Sequence, residues 1–403
     1  MNILNVKENI LMDNSITNLE YHSYEPYLST KLSNNDEIII PLQEIQKYTL
    51  PSESFLYIEG KLTKSDGNIS KTMKLINNGV AFLFKEIRYQ LNGVTVDSVR
   101  DVGLTSTIKG YLSYNKNECN KLKNAGWFPG EDSKVVDETT GLFSVCIPLR
   151  FLLGFFEDYK KIILNSKQEL ILLRDSTDKN ATVNTVGEEN PKIDLTKITW
   201  NVPHISVSIQ QELALTKIIE KNTDIIMAFR SWELIEYPEL TKTKRHNWPV
   251  KTSSRINTPR HVFLTFSKDL RDKVTTDMSK FIHLKLRNVK VFLNSDRYPY
   301  NDLNLDFSKN KYATLYEMFS NFQKSYYGLN PEPIFSPNEF KNNAPIAYID
   351  CSHQKDSIET GPVVMKVEFE FDEELTDDIT AYCLILHDKI VSYNPLTKNV
   401  RQL

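Results

Sequence analysis

The residues best equipped for chemistry stand in one short run, Asp350-Cys351-Ser352-His353, which puts a carboxylate, a thiol, a hydroxyl and an imidazole side by side. A thiolate next to an imidazole is the raw material of a nucleophile-base pair or of a metal site. The spacing argues against both. Neighbours along an extended chain point to opposite sides, and no second cluster supplies the missing ligands. The histidines, His22, His204, His246, His261, His283, His353 and His387, never fall at ligand spacing, and neither H-E-x-x-H nor Cys-x-x-Cys occurs. The acidic pairs Glu157-Asp158 and Glu373-Glu374 would suit acid-base work in a cleft, but both stand beside turns and read as solvated surface. With 13 glycines, the chain still has no G-x-G-x-x-G or G-x-x-x-x-G-K loop to cradle a phosphate. The expectation is a protein with no catalytic residues, no cofactor and no metal.

One stretch interleaves cations with an aromatic ring: Lys242, Lys244, Arg245, His246, Trp248, Lys251, Arg255 and Arg260. Read as a surface loop, it could meet phosphates or the carboxylates of a neighbouring subunit, with Lys244, Arg245, Trp248, Arg255 and Arg260 as the contact residues. Bulk charge does not reinforce it, because 49 basic residues against 52 acidic ones leave a net charge of -3. Nucleic-acid contacts are therefore expected to be few, local and weak. Four scattered cysteines, Cys119, Cys146, Cys351 and Cys383, fit a reducing compartment. No secretory pattern or membrane-length apolar run is present, so assembly inside a cell is expected.

The elements that would hold these residues are mostly strands, and they come twice. Ile87, Tyr89 and Leu91 alternate with Glu86, Arg88 and Gln90 and end at Asn92-Gly93; Val289, Val291 and Leu293 alternate with Lys290 and Phe292 and end at Asn294-Ser295. Ile87 to Val289, Leu91 to Leu293 and Asn92 to Asn294 are each 202 positions apart in a chain of 403. A short second strand follows each, at 94–99 and 297–303. A helix comes next, marked by Leu104, Ile108, Tyr111 and Leu112 and by Leu315, Met318, Phe319 and Phe322. Short strands broken by Gly, Asn, Asp and Ser are the signature of a β-sandwich or barrel.

The chain divides into an N-terminal arm over 1–34, a first β domain over 35–209, a linker helix over 210–222 and a second β domain with a C-terminal tail over 223–403. The arm, with sparse apolar residues and Tyr21, Tyr24 and Tyr27, is expected to order on a partner. Residues 80–91, 162–164 and 281–293 read as strands. The last of these shifts its apolar phase, which predicts a bulge near Asn288. The stretch Asp175–Pro191 reads as a long polar loop that tolerates shortening. The strands at 367–371 and 381–387 are matched with 142–147 and 169–173 of the first domain.

Two stretches carry a resemblance. Residues 147–161, running Ile147-Pro148-Leu149-Arg150-Phe151 to Asp158-Tyr159-Lys160-Lys161, are followed by Gln168 to Arg174. They resemble the end of the first jelly roll in double jelly-roll major capsid proteins, those of adintoviruses and polinton-like elements foremost. Trp232 to Pro238, with Tyr298-Pro299-Tyr300-Asn301, is similar to the opening of the second roll. The resemblance spans most of 35–395 and its motifs are structural. It implies an all-β chain of two tandem eight-stranded jelly rolls, with short helices in the connecting loops. The implied role is a major capsid protein forming pseudo-hexameric homotrimers of an icosahedral double-stranded DNA virus or virus-like element. Its partners would be neighbouring capsomers and a penton or minor capsid protein, and its location the virion. A tandem β-sandwich that binds carbohydrate is the alternative, with Tyr298 to Asp302 as its candidate loop.

Overall fold

Period-two alternation puts one set of side chains on each face of a strand. β6 (Phe84–Leu91) accordingly buries Ile87, Tyr89 and Leu91, and β15 (Leu286–Leu293) buries Val289, Val291 and Leu293. The computed structural model describes residues 15–27, 32–42, 48–184, 190–251, 259–268, 271–353 and 364–403. Within them the two strands sit in equivalent places of two similar units.

In the first unit, β1 (Ile16–Tyr24), β11 (Pro191–Val207), β4 (Phe55–Lys64) and β8 (Leu142–Pro148) form one antiparallel sheet in that order. β2 (Glu37–Leu42), β9 (Gln168–Arg174), β6 and β7 (Val94–Arg100) form the facing sheet. In the second unit the corresponding sheets are β12 (Ile225–Tyr237), β19 (Ile379–Tyr393), β14 (Pro259–Lys268) and β17 (Ala347–Asp350), and β13 (Arg245–Val250), β18 (Met365–Phe371), β15 and β16 (Asp296–Tyr298). Counted along the chain within each unit, both pairs of sheets read 1-8-3-6 and 2-7-4-5. That order is the jelly roll, two four-stranded sheets face to face. Short additions extend it. β3 (Tyr48–Thr49) joins β11, β20 (Val400–Gln402) joins β19, and β5 (Met73–Leu75) pairs with β10 (Thr182–Asn184).

The repeat extends to local details. The strand pairing slips between Leu286 and Asn288, where the phase change predicts a bulge, and also between Phe84 and Glu86, 202 positions earlier. Asn92 and Asn294 both turn the chain in the left-handed region, at φ 49° and 53°. Each uses its backbone N–H and its side-chain oxygen to bracket one residue of the facing strand's approach: Lys167 for Asn92, at 2.9 and 2.9 Å, and Val364 for Asn294, at 2.9 and 3.0 Å.

The helices lie outside the sheets. α1 (Val102–Ser113), α2 (Lys116–Leu122), α3 (Leu149–Leu152) and α4 (Gly154–Asp158) belong to the first roll. α6 (Ala313–Tyr327) and α7 (Pro337–Asn343) belong to the second, and α5 (Ile209–Glu220) joins the two. α6 lays Phe322 against Phe263 of β14 (5.1 Å) and Tyr348 of β17 (5.2 Å). The opposite face of the same sheet packs Phe266 on Phe369 and Phe371. Covered on both faces, β19 is buried without interruption from Ile379 to His387, so its sequence shows an apolar run and no alternation.

Several expectations are corrected. Residues 16–24, placed in a free arm, are the first strand of the first roll, where β1 pairs with β11 from Ile16–Val207 to Tyr24–Trp200. Residues 1–14 of that arm lie outside the described residues. Asp175–Pro191 is no free loop. It contains β10, and Asp178, Ala181, Thr182 and Asn184 are buried; residues 185–189 lie outside the described residues. The run 80–91 opens with a 3-10 turn over Gly79–Leu83, 281–285 precede the strand they were joined to, and 162–164 contribute only a bridge from Ile163 to Thr49. β18 is the counterpart of β9, and β19 of β11, one strand away from the expected matches.

Candidate functional site

The basic stretch is not a loop. Residues 245–250 form β13, paired with β18 from Arg245–Glu370 to Val250–Met365. Alternation on β13 turns His246, Trp248 and Val250 inward and Arg245, Asn247 and Pro249 outward. Trp248 is therefore buried, 5.4 Å from Tyr237, and does not stand among the cations. The cations themselves are engaged: Arg245 Nε with Glu370 Oε1 (2.9 Å), Lys242 with Asp378 (3.5 Å) and Arg260 Nε with Asp388 Oδ2 (2.8 Å). Lys244 Nζ donates to the Asp372 carbonyl at 3.0 Å. Arg255 lies outside the described residues. Above β13, β15 and β18 lies a cavity of about 330 Å³, whose walls alternate Arg245 and Lys290 with Asp302, Glu368 and Glu370. Such a surface is charge-balanced and forms no phosphate track.

The Asp350 to His353 run is equally occupied. Asp350 accepts from Ser325 Oγ and from the N–H and Oγ of Ser352 (2.8 and 2.6 Å), and these bonds hold its carboxyl below the usual range against the opposing effect of burial. Cys351 is fully buried, which pushes its thiol far above the range of a nucleophile. Among the described residues no group of three His, Cys, Asp or Glu side chains is placed to hold a metal ion.

The structure concentrates polar chemistry elsewhere, at the seam between the rolls. There Glu157-Asp158, read as solvated, is enclosed at the end of α4. Arg230 of β12 donates to Asp158 from Nε (2.9 Å), Nη2 (2.7 Å) and its own backbone N–H (2.9 Å), and its guanidinium lies 3.6 Å from the Tyr326 ring centre. Lys109 Nζ, on the entirely buried α1, meets Glu157 Oε2 at 2.7 Å and the Arg150 carbonyl at 2.8 Å. Tyr327 of α6 donates to Glu157 Oε1 at 2.6 Å, and burial drives its phenol well up, so it stays a donor. Asp97 of β7, itself fully buried, accepts from Phe155 N–H (2.9 Å) and from Ser231 Oγ of the second roll (2.7 Å). Gly154 makes this approach possible, because a Cβ there would sit 1.8 Å from the Arg230 carbonyl oxygen. Every member of α3 and α4 in this seam falls in 147–161, one of the two stretches that carry the resemblance.

The sequence marked the seam only by the acidic pair Glu157-Asp158, which reads as solvated surface, by the resemblance over 147–161, and by a lysine, Lys109, within an apolar helix. Charges are buried in this way only when paired, and pairing partners from another unit are invisible in one strand's pattern.

The likenesses to solved structures run the length of the chain. It superposes on a chain of the Sputnik virophage cryo-EM structure with a TM-score of 0.62 at 10% identity, covering 100% of this chain and 91% of that one. For the Faustovirus major capsid protein the values are 0.60, 8%, 96% and 92%, and for the mavirus major capsid protein 0.56, 14%, 99% and 92%. At such identities the fold is what is shared. No curated protein matches the chain by sequence. The model of the double jelly roll-like domain matches residues 73–391, which run from β5 of the first roll across the seam and into β19 of the second, and the chain belongs to that family.

Proposed function

We propose that this chain is a major capsid protein, and that three copies form a capsomer of nearly hexagonal outline in the shell of an icosahedral double-stranded DNA virus or virus-like element. The observation that carries the reading is the pair of rolls with one strand order, locked by a buried polar seam. Six similar lobes around a threefold axis tile a flat facet, and closed symmetry limits growth to one defined unit. The likenesses to the Faustovirus and mavirus major capsid proteins support it at the level of fold. The resemblance over 147–161 and 232–238 points to an adintovirus or polinton-like lineage. Partners would be neighbouring capsomers and a penton or minor capsid protein, and the location the virion, after assembly inside the host cell.

Genome contact would be weak in this reading, because the net charge is -3 and Lys242, Arg245 and Arg260 are already paired with carboxylates. Light scattering tests the oligomer. Three chains of 46.7 kDa should travel as one species at micromolar concentration and physiological salt. A monomer at every concentration would contradict the trimer.

A further inference from the structure

The seam inside the chain has two sides. The second roll brings its first strand, β12, and the first roll brings its fifth strand, β7, with α1 and α4 beside it. Both sides are dry where they meet: Val96, Asp97 and Val99 of β7 and Phe229, Ser231 and Trp232 of β12 are buried, and Ser231 Oγ donates to Asp97 at 2.7 Å. The repeat supplies one further copy of each side. These are β1, the first strand of the first roll, and β16, the fifth strand of the second. Both copies are wet. Ile16, Leu19 and Tyr21 of β1 are 50%, 47% and 52% exposed, Asp296 and Arg297 of β16 are exposed, and Tyr300 just beyond them is 72% exposed. Positions that are dry at one junction and expose apolar side chains at its counterpart mark a surface made for the same kind of contact.

Strand register fixes which residues correspond. In the first roll the Tyr21 and Phe55 rings stand 5.7 Å apart, and their residues pair with Pro203 and Asn201 of β11. In the second roll the Trp232 and Phe263 rings stand 5.6 Å apart, and their residues pair with Leu386 and Leu384 of β19. The diagonal is the same, so Tyr21 corresponds to Trp232, Glu20 to Ser231 and Leu19 to Arg230. On the other side, Asp97 pairs with Tyr89 and Tyr298 with Val291, and Tyr89 and Val291 are 202 positions apart. Tyr298 therefore corresponds to Asp97. Carried from one chain to the next, the bond between Ser231 and Asp97 becomes one between Glu20 and Tyr298. It is again one donor and one acceptor, with the roles exchanged between the strands. We propose that β1 of one chain docks on β16 of a second copy, with Glu20 accepting from Tyr298 and with Leu19 and Tyr300 covered at the contact. This contact rests on the capsomer reading, since it is the junction that three chains would repeat.

The test is a double variant of the full chain, Glu20→Cys with Tyr298→Cys, oxidised mildly and run unreduced on a denaturing gel. Side chains that meet as Ser231 and Asp97 do are close enough for a disulfide. The expected result is a ladder that ends at three linked chains and that neither single variant nor the unaltered protein gives. Dimers from Glu20→Cys alone would put β1 against β1, a faster monomer band would place the link within one chain, and a ladder running past three would describe an open row. Each of these overturns the proposal, as does the absence of any link. A second variant, Leu19→Glu, changes an exposed side chain and should leave the fold intact while raising the concentration at which trimers dissociate about tenfold. Unchanged dissociation overturns the proposal too. Light scattering on the same samples reports the oligomer separately. A trimer without links sinks this contact and leaves the capsomer reading standing, whereas a monomer at every concentration sinks the capsomer reading itself.

Discussion

At the scale of residues, charges stay buried in the seam because they are paired. Removing one partner leaves the other desolvated, so Asp158→Ala should cost about 3 kcal/mol by orphaning Arg230, read as a lower denaturant midpoint with an unchanged slope. Gly154→Ala should cost about 1–3 kcal/mol by pressing a methyl group into the Arg230 carbonyl; equal stability would mean that the rolls are not held at this distance. Histidines give the molecule a pH dependence. Burial holds His246, His283 and His387 below their usual range and His261 down to about 4. The unfolded chain then takes up protons first as pH falls, so stability is full above about 6.5 and declines between about 6.5 and 4. His261→Gln should flatten that slope in urea titrations at pH 7 and pH 5, and an unaltered slope would contradict the assignment.

At the scale of elements, the parts that were legible were those with one wet face. β6, β15 and β18 each bury one side, and alternation revealed all three. β1 did not show itself because its residues are mostly exposed on both faces, so ITNLEYHSY carries no alternation. β17 failed for the opposite reason. Only four residues long and almost wholly buried, it left no pattern, and missing it shifted every later strand match by one. The stretch from Asp175 misled because its anchors are polar: Asp178 pairs with the fully buried Arg174 (2.7 Å) and accepts from Ile193 N–H (2.8 Å). Burial pushes the Asp178 carboxyl up and the Arg174 guanidinium down even with the two paired, so each depends on the other for its charge. Asp178→Ala should therefore cost about 3–5 kcal/mol, and thermal unfolding close to that of the unaltered protein would restore the tolerant loop. The candidate site was less legible than the fold, since Lys244 and Arg245 were visible as charges while their acceptors, Asp372 and Glu370, come from a strand more than a hundred residues away.

At the scale of the whole molecule, two rolls of one plan are fixed to each other, and in the proposed trimer they would supply two of six lobes. The offset of 202 residues, the paired bulges and the twin asparagine brackets make the lobes alike. The seam through Arg230, Asp158, Lys109 and Glu157 makes their spacing fixed, as a repeating facet requires. Negative-stain electron microscopy of the purified protein, expressed alone, tests this most directly. Class averages should show a threefold axis, six lobes and a nearly hexagonal outline. Averages showing isolated two-lobed particles, or rings of another symmetry, would contradict it.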